Sequence, residues 1–170
     1  MGIGKFVSVA VLGVFLVACT SAAASGARLQ IEKAWARPAL ASSMSTMSQS
    51  SSMQGMPGMA GSDFSGSTSA VYFILVNDGD QADTLTGVTT DVASQAEMHE
   101  TSIKNDIAQM AQVAQVVVPA HGKVEFSPGG FHVMLGGLKR DLKVGDSIQL
   151  TLHFKTSGDQ NLTAAVQEEP

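Results

Sequence analysis

Cysteine is nearly missing from this chain, Cys19 being the single one among 170 residues. That excludes an internal disulfide framework, a cysteine-based zinc site, a C-x-x-C redox pair and a thiolate-ligated copper centre, unless a second chain supplies sulfur. Basic residues are also scarce. With Lys5 the only charge before Arg28, the chain beyond residue 18 holds nine Lys and Arg against fifteen Asp and Glu, which argues against a nucleic-acid binder, since that role needs a basic face. No apolar run reaches the roughly 20 residues a membrane-spanning helix needs. With 44% apolar and 15% charged residues, the composition is that of one globular domain plus an addition. What stands out instead is nine methionines, four histidines and seventeen glycines.

The longest apolar run, Phe6 to Ala18, follows Lys5 and has the length of an export signal. Its end, Leu16-Val17-Ala18-Cys19, resembles the lipobox of bacterial lipoproteins, in which the signal is cut before a cysteine whose thiol is then lipidated. Residues 1–18 are therefore expected to be a lipoprotein signal peptide, with Cys19 as the lipidation site and residues 19–28 as a tether. The competing reading is a general secretory signal cut among Ala22-Ala23-Ala24. Either one places the mature protein outside the cytoplasm, and lipidation at Cys19 makes a bacterial membrane, inner or outer, its anchor.

Leu29 to Ala36 alternates and predicts a first strand, ended by Pro38, with Trp35 read as a core side chain rather than a metal shield. Residues 41–69 then turn to Ser, Met, Gly and Gln without any period, the composition of a flexible insertion. The apolar run Ala70–Val76 reads as a strand buried on both faces, turned by Asn77-Asp78-Gly79-Asp80. Further strands are expected at Asp83–Val88, Ser94–Ile103, Ile107–Val118, Lys123–Phe126, His132–Leu135, Ser147–Lys155 and Leu162–Val166. No stretch holds a helical period over three turns. The expected fold is all-β, a sandwich or Greek-key barrel of eight or nine strands.

The second half of the chain carries a set of soft-metal donors, His99, Met110, His132 and Met134. His132 and Met134 are two apart in a strand, so both leave one face while Phe131, Val133 and Leu135 leave the other. Lys104-Asn105-Asp106 is a turn signal between His99 and Met110. A Lys104-Asn105 turn sets these two residues opposite each other, and an Asn105-Asp106 turn leaves them diagonal on one face. A three-residue turn separates them unless a bulge intervenes. Two imidazoles with two thioethers form a poor site for Mg²⁺, Ca²⁺ or Zn²⁺ and a good one for Cu(I). Met98 points away from His99 and is read as packing, and His121 and His153 are left outside the site.

The spacing His99-x10-Met110-x21-His132-x-Met134 resembles the motif of the PCu(A)C periplasmic copper chaperones, as do Glu97-Met98-His99-Glu100-Thr101 and Pro128-Gly129-Gly130-Phe131-His132-Val133-Met134-Leu135. Ala34-Trp35-Ala36-Arg37, Gly137-Leu138-Lys139-Arg140 and Leu142-Lys143-Val144-Gly145-Asp146 add to the resemblance. It covers residues 29–167, interrupted by the insertion at 41–69. It implies a cupredoxin-like β-barrel that holds Cu(I) through these four side chains. The ion would then pass to a copper-accepting protein, cytochrome c oxidase subunit II with its CuA centre or another assembly chaperone.

Met44, Met47, Met53, Met56 and Met59 depart from that family pattern and form a candidate second Cu(I) acceptor, weighed against a solvated spacer. Two other functions compete, a copper sequestration or resistance lipoprotein and a metal-free scaffolding lipoprotein. No Ser/His/Asp or paired-carboxylate arrangement suggests an enzyme.

Overall fold

The structure, a computed structural model, describes residues 26–41, 67–104 and 107–169. Cys19 and the five clustered methionines Met44, Met47, Met53, Met56 and Met59 lie outside the described residues. Those described are all-β, with no helix. The ten strands are β1 (Leu29–Ala36), β2 (Thr68–Asn77), β3 (Asp83–Thr90), β4 (Ala93–Lys104), β5 (Ile107–Gln112), β6 (Val116–Val118), β7 (Gly122–Phe126), β8 (Phe131–Leu138), β9 (Ser147–Phe154) and β10 (Gly158–Val166).

Period-two burial dictates most of them. In β9, Ile148, Leu150, Leu152 and Phe154 turn inward, and in β10 Leu162, Ala164 and Val166 do the same. Val71, Phe73 and Leu75 of β2 and Val133 and Leu135 of β8 complete the centre, where Phe73 stacks on Phe126 at 4.4 Å. Met98 is buried in this core, as its position beside His99 predicts.

The strands form one sheet in the order β5-β4-β8-β7-β2-β1-β10-β9-β3-β6, with β8 also paired to β2. The sheet folds back on itself, because β3 packs against β4 and β6 against β7, and the core lies inside the resulting sandwich. The expected single strand Ile107–Val118 is in fact two. After β5 the chain leaves one end of the strand order and enters the other end at β6 within Val113–Gln115. An unbroken uncharged stretch hides this break, although Val116 and Val118 belong to the core and Ile107–Gln112 does not.

Two polar devices fix the ends. The buried Asn77 side chain accepts from the Arg28 and Gly79 amides, both at 3.0 Å, and donates to the Gln81 carbonyl, closing the turn after β2. Buried Asp83 accepts from the amides of Thr84 (2.7 Å), Thr156 (3.0 Å) and Ser157 (2.8 Å), tying β3 to the β9–β10 turn. Burial pushes the Asp83 carboxyl pKa up, but the hydrogen bonds from Ser157, Thr84 and Thr156 outweigh it and hold the pKa below the ordinary value.

One irregularity re-aims a side chain. Ile31 pairs with Leu75 on the core side, and uninterrupted alternation would send Trp35 the same way. A one-residue bulge between Glu32 and Trp35, with Lys33 at φ 51°, sets Trp35 opposite Tyr72 and Ala36 opposite Val71 instead. Trp35 is therefore buried against Tyr72, ring centroids 4.5 Å apart, and does not belong to the central cluster. At 8% exposure it is a buried core side chain, as expected, although the bulge turns it to the Tyr72 face of the sheet.

Candidate metal centre

The four predicted donors come from three adjacent strands. β4 and β8 pair with His99 opposite His132 and Glu97 opposite Met134. β4 and β5 pair with Thr101 opposite Met110 and His99 opposite Gln112, the diagonal register among the three that the turn signal left open. His99, Met110, His132 and Met134 thus share one face of the sheet, the face opposite Met98, Val133 and Leu135.

His132 is the hinge of the arrangement. The Gly130 carbonyl lies 3.1 Å from its Nδ1, and a carbonyl can only accept, so Nδ1 carries the proton and Nε2 keeps its lone pair in the neutral ring. Met110 Sδ sits 3.2 Å from that Nε2. Burial lowers the His132 pKa, the Gly130 carbonyl pulls the other way, and the neighbouring His99 adds to the lowering. The lowering favours the neutral ring, which is the state a metal ligand requires.

His99 lies behind this pair. It is 1% exposed, against 7% for His132, and the two rings stack with centroids 5.8 Å apart. Glu97 Oε2 is 3.3 Å from His99 Nε2. A carboxylate that accepts there leaves Nδ1 as the lone-pair nitrogen and orients the ring.

A cleft of about 570 Å³ opens over these residues, lined by Met110, His132, Met134, Thr101, Tyr72 and Arg37. His99 is not among its lining residues. Three predicted donors therefore face the cleft directly, and the fourth supports the His132 ring from beneath.

Across the sheet, Trp35, Tyr72, His132 and His99 form a transverse row of rings, with Tyr72 6.4 Å from His132. Burial raises the Tyr72 pKa, partly offset by Arg37 and reinforced by Glu169. Tyr72, Thr101 and the Gly130 carbonyl were not singled out from the sequence. Only the Pro128-Gly129-Gly130 turn just before His132 pointed to the last of them.

His121 and His153 lie elsewhere, as expected. His121 Nε2 sits 3.0 Å from Asp80 on the surface, and His153 is bound between Asp159 and Thr89. Among the described residues no three His, Cys, Asp or Glu side chains gather into a metal-holding group. The set that does gather mixes imidazole with thioether, a combination suited to a soft monovalent cation.

The family described as "Putative lipoprotein LpqE-like" matches residues 29–166. A protein of Leifsonia xyli subsp. xyli (strain CTCB07) named "Putative lipoprotein Lxx21020" is 32% identical over 105 residues, 61% of this chain and 63% of that protein. The chain thus spans less than two thirds of that relative's length. Among solved structures, the "Copper-bound PCuAC domain from PmoF2" superposes with a TM-score of 0.56 over 83% of this chain and 93% of that one, at 23% identity. That likeness shows a shared fold. The solution structure of CuI-DR1885 from Deinococcus radiodurans gives a TM-score of 0.53 at 27% identity, covering 82% of this chain and 79% of that one.

Proposed function

Because the chain belongs to the LpqE-like family and has the fold of PCuAC domains, we propose that it is an extracytoplasmic copper carrier. In this reading Cu(I) is the cargo, held by His132, Met110 and Met134 in the cleft with His99 as the deeper fourth donor. The observation that carries it is the 3.2 Å approach of Met110 Sδ to His132 Nε2, with the imidazole proton fixed on the other nitrogen. The copper(I) form of the Deinococcus radiodurans neighbour supports the choice of metal.

Delivery proceeds by ligand exchange. An acceptor's sulfur or imidazole displaces one thioether at a time, so copper never passes through a free aquated state. The acceptor is the CuA centre of cytochrome c oxidase subunit II or another assembly chaperone. Lipid attached at Cys19 holds the protein at a bacterial membrane, in keeping with the family's lipoprotein description. No bond chemistry is catalysed.

A sequestering role has one observation in its favour, the five extra thioethers of Met44, Met47, Met53, Met56 and Met59. Arg37, Pro38, Thr68 and Ser69, on either side of that segment in sequence, all line the cleft. In this proposal the cluster is a second Cu(I) acceptor that exchanges with the cleft. Replacing all five with Ser lowers Cu(I) stoichiometry if it is an acceptor and leaves it unchanged if it is a spacer.

Competition titration with a Cu(I) chelator tests the main reading. One tight equivalent is expected in the five-Ser variant, weakened by each of His99→Ala, Met110→Leu, His132→Ala and Met134→Leu. Absence of uptake, or uptake indifferent to all four changes, overturns it.

A further inference from the structure

Among the described residues, nothing pairs with the outer side of the strand that carries Met110. β5 ends the strand order, and every residue of it is exposed. Edge strands are normally guarded by charge, proline, bulges or extreme shortness. Ile107–Gln112 contains no charged residue, proline or glycine, and the uncharged stretch runs on to Val118. Ile107 is 62% exposed and Ile103, across the hairpin, 75%.

Two hydrogen bonds reveal which backbone groups face outward. The Val113 amide donates to the Met98 carbonyl at 2.8 Å, and the Thr101 amide donates away from β5, to Gly130 at 3.1 Å. Hydrogen-bonded and non-hydrogen-bonded positions alternate along an antiparallel pair. With Thr101 opposite Met110 and His99 opposite Gln112, the non-hydrogen-bonded positions of β5 are Ala108, Met110 and Gln112. Their amides and carbonyls point to the open side, and their side chains stand on the same face as His99.

We infer that β5 is the docking edge for the copper acceptor, which adds an extended, uncharged segment as one more strand and sets a Met or Cys side chain opposite Met110. The exposed ladder groups require an extended backbone, and the lack of charge on β5 calls for a neutral one. Directly opposed residues on one face have Cβ atoms roughly 5 Å apart, so the incoming sulfur arrives within reach of an ion held by Met110. One copper–sulfur bond forms on the incoming residue as the bond to Met110 breaks. Copper stays monovalent, and a cysteine donor releases its proton to solvent. The identity of the donor rests on the copper reading above, whereas the docking edge stands apart from it.

The test uses an acetylated, amidated peptide, Thr-Val-Thr-Met-Thr-Val-Thr, and its twin with norleucine in place of the Met. Added to the metal-free full chain, both are expected to slow amide exchange about threefold or more at Ala108, Met110 and Gln112, and not at Gln109 or Ala111, which already bond β4. In Ala108→Pro, which removes an outward donor and leaves the β4 ladder intact, Cu(I) affinity is retained and transfer to the Met peptide slows about tenfold. A peptide N-methylated on its β5-facing residues must likewise neither protect these amides nor accept copper quickly, and this arm holds even if Ala108→Pro misfolds.

The inference is overturned if neither peptide protects the three amides, or if transfer is undiminished both in Ala108→Pro and with the N-methylated peptide. Protection that appears without peptide and grows with protein concentration also overturns it, because the occupant is then a second copy. If the chain takes up no Cu(I), the copper reading fails while protection by the norleucine peptide still decides the docking edge.

Discussion

His132 and His153 stand on the same sheet, each with both ring nitrogens engaged, and their surroundings set them to opposite uses. Around His132, Nδ1 donates to a backbone carbonyl and Nε2 faces the Met110 sulfur in a desolvated cleft. Around His153, Asp159 lies 2.7 Å from Nδ1 and the Thr89 hydroxyl 3.0 Å from Nε2, both oxygen partners on an exposed face. A thioether is a weak hydrogen-bond partner and a good soft-metal donor, while a carboxylate and a hydroxyl are the reverse. The difference teaches that imidazole alone does not mark a candidate soft-metal site. The second atom beside it does.

The sharpest way to break this comparison is to remove each ring in turn. Loss of partners one shell out from a metal already costs about 10–100-fold in affinity, so His132→Ala is expected to weaken Cu(I) binding by at least about a hundredfold, whereas His153→Ala leaves it unchanged within error. Equal losses in a chelator competition would abolish the distinction. Met110→Leu keeps volume and removes only sulfur, and from an exposed edge strand it is expected to cost somewhat less, on the order of tenfold.

Stability sharpens the contrast from the other side. Asp83→Ala leaves three amides of the His153 half without their acceptor and is expected to destabilise the fold by about 2 kcal/mol in urea denaturation, with Cu(I) affinity unaltered.

The smallest effects are those of pH on the metal-free protein, and they fall in two windows. The His132 pKa is lower in the folded state than the unfolded value of 6.5, so the unfolded chain binds more protons between the two. Its contribution is fully present above pH 6.5 and is lost as pH falls through the folded value. Asp83, also lowered, contributes fully above its ordinary 3.8 and loses that contribution only as pH falls through a still more acid value. Denaturation curves across pH should show the upper step vanish in His132→Leu and persist in Asp83→Asn.

Much of this arrangement was legible in the residues. Period-two burial gave nearly every strand, and the i, i+2 spacing of His132 and Met134 put both on one face. The Asn105-Asp106 alternative supplied the register that β4 and β5 adopt. Trp35 was legible as a buried side chain but not the face it takes, because one bulged residue, Lys33, inverts the alternation after Ile31, and nothing in the composition of Glu32-Lys33-Ala34 announces it. The break at Val113–Gln115 was hidden for a different reason, as both sides of it are uncharged and rich in Val and Ala. The depth of His99 depends on strands far away in sequence, and Tyr72 looked like one more apolar member of a buried run.

X-ray absorption of the Cu(I)-loaded protein, with and without His132, tests the central claim most directly, in a variant whose Met44, Met47, Met53, Met56 and Met59 are replaced by Ser. Mixed nitrogen and sulfur scattering is predicted for the intact cleft, with part of the nitrogen shell lost in His132→Ala. A spectrum of nitrogen and oxygen alone, or one unchanged by removal of that ring, would contradict a copper centre built on His132 and Met110.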